Sequence, residues 1–112
     1  MAGYSNDAKN LMLTELCANA KFAGLLNGSG VEISGGTYAR KPVTWGTPSS
    51  GSVSASNQPV FDVPSGVTVA SIALYSASTN GTLYASDEIT PETFSNNGTL
   101  TLTSITLDLN AT

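Results

Sequence analysis

Val67-Thr68-Val69-Ala70-Ser71-Ile72-Ala73-Leu74-Tyr75-Ser76-Ala77-Ser78-Thr79-Asn80-Gly81-Thr82-Leu83-Tyr84-Ala85-Ser86 is the stretch on which the fold turns. Its first half alternates with a period of two. Ile72 and Leu74 fall on one phase, and Val67, Val69, Ala73 and Tyr75 on the other. Apolar residues on both phases predict a central strand covered on both sides. Asn80-Gly81 follows, and both residues of an Asn-Gly step accept the positive φ of a tight hairpin turn. Residues 82–86 then read as the returning strand, and the pair as an antiparallel hairpin.

The same turn signal recurs at Asn27-Gly28 and Asn97-Gly98. Short strand patterns surround these steps, at residues 22–26, 31–33, 37–45, 52–56 and 59–63. Pro42 marks an edge strand or a bulge. Residues 87–94 are polar, contain Pro91 and read as a connection that could hold a helical turn. Near the end, Leu100 and Leu102 are apolar on even positions, and Ile105, Leu107 and Leu109 on odd ones. Side chains alternate strictly along a strand, so this switch flips the buried face. Either a bulge at Thr103-Ser104 or a strand that leaves one sheet for another produces it.

Only the N-terminal part reads as helix. Ser5, Asn6 and Asp7 are N-cap candidates. Ala8, Leu11, Met12 and Leu16 form an apolar stripe that Leu13, Cys17 and Ala20 widen. The predicted organisation is a single domain over residues 1–112, with an arm at 1–4, a helix at 6–20 and a β domain at 22–109. The fold class is mainly β, an antiparallel, jelly-roll-like β-sandwich with one short N-terminal helix, ahead of a small barrel. Trp45, Phe61, Ile72, Leu74, Leu102 and Leu107 are the expected core.

Composition narrows the function. Eight Asp and Glu stand against four Lys and Arg, with no histidine and one cysteine. A nucleic-acid binder needs a basic stripe, and none is visible. No anionic membrane surface is implied either. Without histidine the commonest general base and metal ligand is missing. Cys17 alone forms no internal disulfide and reads as a small hydrophobe. No signal-peptide pattern opens the chain, so folding in a cytoplasm is expected.

The remaining motifs point away from catalysis. Four Asn-x-Ser/Thr sequons occur, at Asn27, Asn80, Asn97 and Asn110, three of them on the Asn-Gly turns; turn chemistry explains these three. Asp87, Glu88 and Glu92 cluster, but in a segment expected to be solvated. No catalytic residue, metal or organic cofactor is therefore expected. Tyr38, Trp45, Phe61, Tyr75, Tyr84 and Phe94 lie in or beside strands. They read as core, or, if exposed at one end, as a platform for sugars.

The order of motifs is similar to a known family. It includes the opening Asn-Asp-Ala-Lys-Asn-Leu-Met-Leu helix and Gly35-Gly36-Thr37-Tyr38-Ala39-Arg40-Lys41-Pro42-Val43-Thr44-Trp45. Gln58-Pro59-Val60-Phe61-Asp62-Val63-Pro64-Ser65-Gly66, Ile89-Thr90-Pro91-Glu92-Thr93-Phe94 and a Thr-Leu-Thr-Leu ending follow. These resemble small virion proteins of tailed bacteriophages of actinobacteria, described as a tail-fibre C-terminal domain that also occurs alone. The resemblance covers nearly the whole chain and implies a structural virion protein without enzymatic activity. A fibre subunit would carry a shaft before such a domain. The expectation drawn from this is a capsid decoration protein that caps or cements the shell. The alternative is a tail-fibre or minor tail protein contacting the host surface. Expected partners are copies of itself in a homotrimer and the major capsid protein, or alternatively other tail proteins. Met1, Ala2, Gly3 and Tyr4 are the candidate tether.

Overall fold

A computed structural model describes residues 3–109. The elements are α1 (Asn6–Asn19), β1 (Phe22–Leu26), β2 (Lys41–Pro42), β3 (Ser52–Ser54), β4 (Val60–Val63), β5 (Val67–Tyr75), β6 (Leu83–Phe94), β7 (Gly98–Thr101) and β8 (Thr106–Asp108). All pairings are antiparallel. A four-stranded sheet has the order β2-β1-β5-β6, and two ribbons pair β3 with β8 and β4 with β7. One core joins the layers. Ala23, Leu25, Val69, Ile72 and Leu74 of the sheet pack with Phe61, Val63 and Leu100 of the β4–β7 ribbon. The molecule is about twice as long as it is wide, 48 × 23 × 23 Å.

β5 lies between β1 and β6 and is covered on both faces, as its sequence requires. Its faces are divided differently from strict alternation. Val69 joins Ile72 and Leu74 in the main core, whereas Ala73 and Tyr75 pack with Leu26 on the other side. The cause is a bulge. Between the pairs Val69↔Glu92 and Ser71↔Glu88, β5 has one intervening residue and β6 has three. This irregularity changes the phase of β5. It also contains Pro91, whose missing N–H is tolerated at a bulge of an edge strand.

Residues 87–94 thus continue a twelve-residue strand, not a helical turn. An edge strand keeps little apolar alternation because much of it meets solvent, which hid β6 from the pattern. The hairpin at Asn80-Gly81 forms as expected: Asn80 has φ 55°, Gly81 has φ 78°, and Ser76 N–H donates to the Thr82 carbonyl at 3.0 Å. At Asn27-Gly28 the chain also reverses. The positive φ there belongs to Gly30 (79°), and the Asn27 Oδ1 accepts from the N–H groups of Ser29 and Val31. Asn97-Gly98 is not a hairpin. It leads from β6 to β7, which pairs with β4 in a different sheet. Gly98 is needed there for space, since a Cβ would meet the Phe94 ring at 3.0 Å.

The phase switch near the C-terminus marks a change of sheet. Leu102 N–H donates to the Pro59 carbonyl beyond the end of β4, and Ile105 accepts from Ala55 N–H beyond the end of β3. Between them the chain passes from one ribbon to the other, so Leu100, Leu102 and Ile105 all reach the same core despite their opposite phases. The sandwich-corner reading is therefore the one that holds.

The helix is capped by Ser5, whose Oγ accepts from Ala8 N–H at 3.1 Å. It ends at Ala20, whose carbonyl accepts from the Trp45 indole at 2.7 Å. Its buried side differs from the expected stripe. Leu13 is buried and Leu16 packs on the core, but Leu11 is 73% exposed and Met12 39%. The helix docks through Asn10, which accepts from Gly51 N–H at 3.0 Å, and through Leu13. Phe61, Ile72, Leu74 and Leu102 are buried as predicted, while Trp45 and Leu107 are half-buried against the core.

These burials separate two leucines that look alike in the sequence. Leu74→Ala is expected to lower unfolding free energy by about 2–5 kcal/mol, and Leu11→Ala to change it by no more than about 0.5 kcal/mol. Urea titrations of the two variants check both values. Equal losses would show that the helix buries the Leu11 face.

Candidate partner-binding surfaces

A connected cluster of polar side chains is built on β1. Beyond Ala23, β1 has lost β2 as a partner. Leu25 N–H donates instead to the Tyr38 hydroxyl at 2.9 Å, and the Leu25 carbonyl accepts from Ile33 N–H at 3.0 Å. The Tyr38 hydroxyl in turn donates to Glu32 Oε2 at 2.8 Å. Arg40 forks onto the same carboxylate, Nε to Oε2 at 2.9 Å and Nη2 to Oε1 at 2.8 Å. Its Nη1 donates to the carbonyls of Ala77 and Asn80 at 2.9 and 2.6 Å, tying down the β5–β6 loop. The guanidinium lies 3.5 Å over the Tyr75 ring centroid, a cation–π arrangement.

Gly24 makes room for this clamp. A Cβ there would meet Glu32 Oε2 at 2.9 Å and Tyr38 and Tyr75 at 3.0 Å. The electrostatics follow from the contacts. Arg40 holds the Glu32 carboxyl below the usual carboxylate range. Burial pushes the Tyr38 hydroxyl well up, keeping it a donor. The Arg40 donors that make hydrogen bonds are all satisfied within the chain, so the cluster works as a brace. Sequence spacing did not reveal it, since Glu32 and Arg40 read only as an alternating strand residue and a scattered cation. The signal lay in the Tyr-Ala-Arg-Lys and Phe-Asp-Val-Pro stretches that carry the family resemblance. Tyr38 stacks on Phe61 with centroids 6.3 Å apart, and Thr37 donates to Asp62 at 3.2 Å.

The surfaces left to a partner lie elsewhere. Met1 and Ala2 of the expected tether, and the Asn110 sequon, lie outside the described residues. Gly3 and Tyr4 are exposed, Tyr4 at 67%, as are Leu11 and Met12 of the helix. The carboxylates Asp87, Glu88 and Glu92, expected in a solvated connection, lie instead along the exposed edge strand β6, opposite Ile72, Ser71 and Val69, with Asp87 and Glu88 on opposite faces. Leu83 and Tyr84 of that strand are also exposed. Of the six aromatics weighed as a sugar platform, Tyr84 alone is exposed. Cys17 is half-buried, which raises its thiol pKa.

Removing the clamp is expected to loosen the sheet. Arg40→Ala leaves two loop carbonyls without their side-chain donor and Glu32 with the Tyr38 hydroxyl alone, and should cost about 1–3 kcal/mol. Glu32 has a depressed native pKa, so its contribution is complete above the unfolded-state value of about 4.3. That contribution disappears as pH falls through the native value. Glu32→Gln should therefore reduce the loss of stability on acidification below about pH 4. Melting curves of wild type and variant across that window check the sign; parallel curves would remove Glu32 from the account.

No curated protein and no solved structure matches the chain. A family profile does match, over residues 8–110, from the first turns of α1 to just past β8. With that near-complete coverage, the chain belongs to the family described as podophage GP4 fiber I protein gp80.

Proposed function

We propose that this chain is a non-enzymatic structural subunit of a phage fibre, built into the virion. The family match over residues 8–110 carries the reading, because it is to a fibre protein and spans almost the whole fold. It favours the tail-fibre alternative over the capsid decoration role expected from the sequence. Two features support a building block: an elongated body, and a brace that spends its most perturbed ionisable groups on internal contacts. Asp87 and Glu88 lie on a solvent-facing edge, without the burial that a carboxylate acid–base pair uses. Assembly of copies in a homotrimer fits the role, as does the actinobacterial host range implied by the resemblance.

Gold-labelled antibody against the chain, applied to purified particles, tests the location. Label on the fibres is expected, and label spread over the shell would restore the decoration reading. Purified protein is expected to release no reducing ends from host-wall polysaccharide. Release that Asp87→Asn or Glu88→Gln abolishes would overturn the structural role.

A further inference from the structure

We propose that copies of this chain associate head to tail, with the acidic β6 edge of one copy against the lysine-bearing β2 side of the next. This contact deepens the reading of the chain as a repeating building block and rests on it. Three observations carry it. First, β6 is a twelve-residue edge strand that pairs only with β5 among the described strands. Second, the sheet is electrically polar from edge to edge. Asp87, Glu88 and Glu92 are exposed on β6, whereas Lys41 lies on β2 and Lys21 beside it, joined through the Val43 N–H bond to the Lys21 carbonyl. None of these five makes a side-chain hydrogen bond or ion pair within the described residues, while Arg40 is taken up by the clamp.

Third, pairing of like edges is unfavourable. A two-fold contact of β6 with β6 would set carboxylate against carboxylate. The outer side of the chain at and after β2 is covered by residues 54–57: Trp45 bridges Ala55, Ser56 N–H donates to the Thr44 carbonyl, and Asn57 donates to the Pro42 carbonyl and accepts from Thr44 N–H, so the contact is made by the long charged side chains and no ladder forms. Such a heterologous contact closes a ring or runs on as a filament.

Charge reversal on each edge tests the contact. One variant carries Asp87→Lys and Glu88→Lys, the other Lys21→Glu and Lys41→Glu, with circular dichroism confirming that both fold. In sedimentation equilibrium, wild type is expected to self-associate, more weakly as salt is added. Each variant alone should associate about tenfold more weakly or worse. An equimolar mixture of the two should recover association, because every edge then meets its opposite. Wild type that stays monomeric, variants that associate as wild type does, or a mixture that fails to recover would each overturn the contact. If either of these variants is then still found on fibres by gold label, the fibre role stands and only this contact falls. Label on the shell would overturn the fibre role itself.

Discussion

The bidentate ion pair between Arg40 and Glu32, seated over Gly24, holds the outer face of the four-stranded sheet together. Without it, β1 would present unpaired backbone groups where β2 ends after two residues. Tyr38 supplies the missing acceptor for Leu25 N–H, and Glu32 keeps Tyr38 in place. Arg40 then reaches across to the loop after β5 and covers Tyr75. A segment with little regular structure, residues 32–40, thereby does the work of a longer strand. The arrangement is satisfied throughout, which is the condition under which a partly buried ion pair stabilises a fold.

The inner face depends on a different device. The ribbons are short, and each buries apolar residues only because the chain changes sheets between β7 and β8. Opposite side-chain phases on the two sides of that change point Leu102 and Ile105 into one core. The β5–β6 bulge does the equivalent on the sheet, bringing Val69 round to join Ile72 and Leu74. Two irregularities of register thus make one core out of strands that strict alternation would divide.

The surface pattern follows from this economy. The helix is held by its Leu13 side, Asn10 and the Trp45 bond, leaving Leu11 and Met12 outward. The long β6 strand closes one edge of the sheet, paired with β5 on its inner side and with no strand on its outer side among the described residues. A subunit of a fibre family is expected to offer such faces, since its neighbours in the assembly complete what the isolated fold leaves open.

How much of this was legible from residues alone divides along a physical line. The sequence by itself determined the β class, the capped N-terminal helix, the two-sided burial of β5, the reversal at Asn80-Gly81 and the switch of phase after Leu102. These are local properties: period, cap chemistry and turn preference act within a few residues. Tertiary structure alone decided which side of the helix is buried, because Leu11 and Leu13 have the same apolar character and the docking contacts of Asn10 on Gly51 and of Trp45 on Ala20 distinguish them. It decided that residues 87–94 are a strand, since an edge strand's pairing comes from β5 and not from its own composition. It also made the clamp, by bringing Glu32 and Arg40 of the 32–40 segment against Tyr75 at the end of β5 and Asn80 in the loop after it, a juxtaposition that no local spacing encodes.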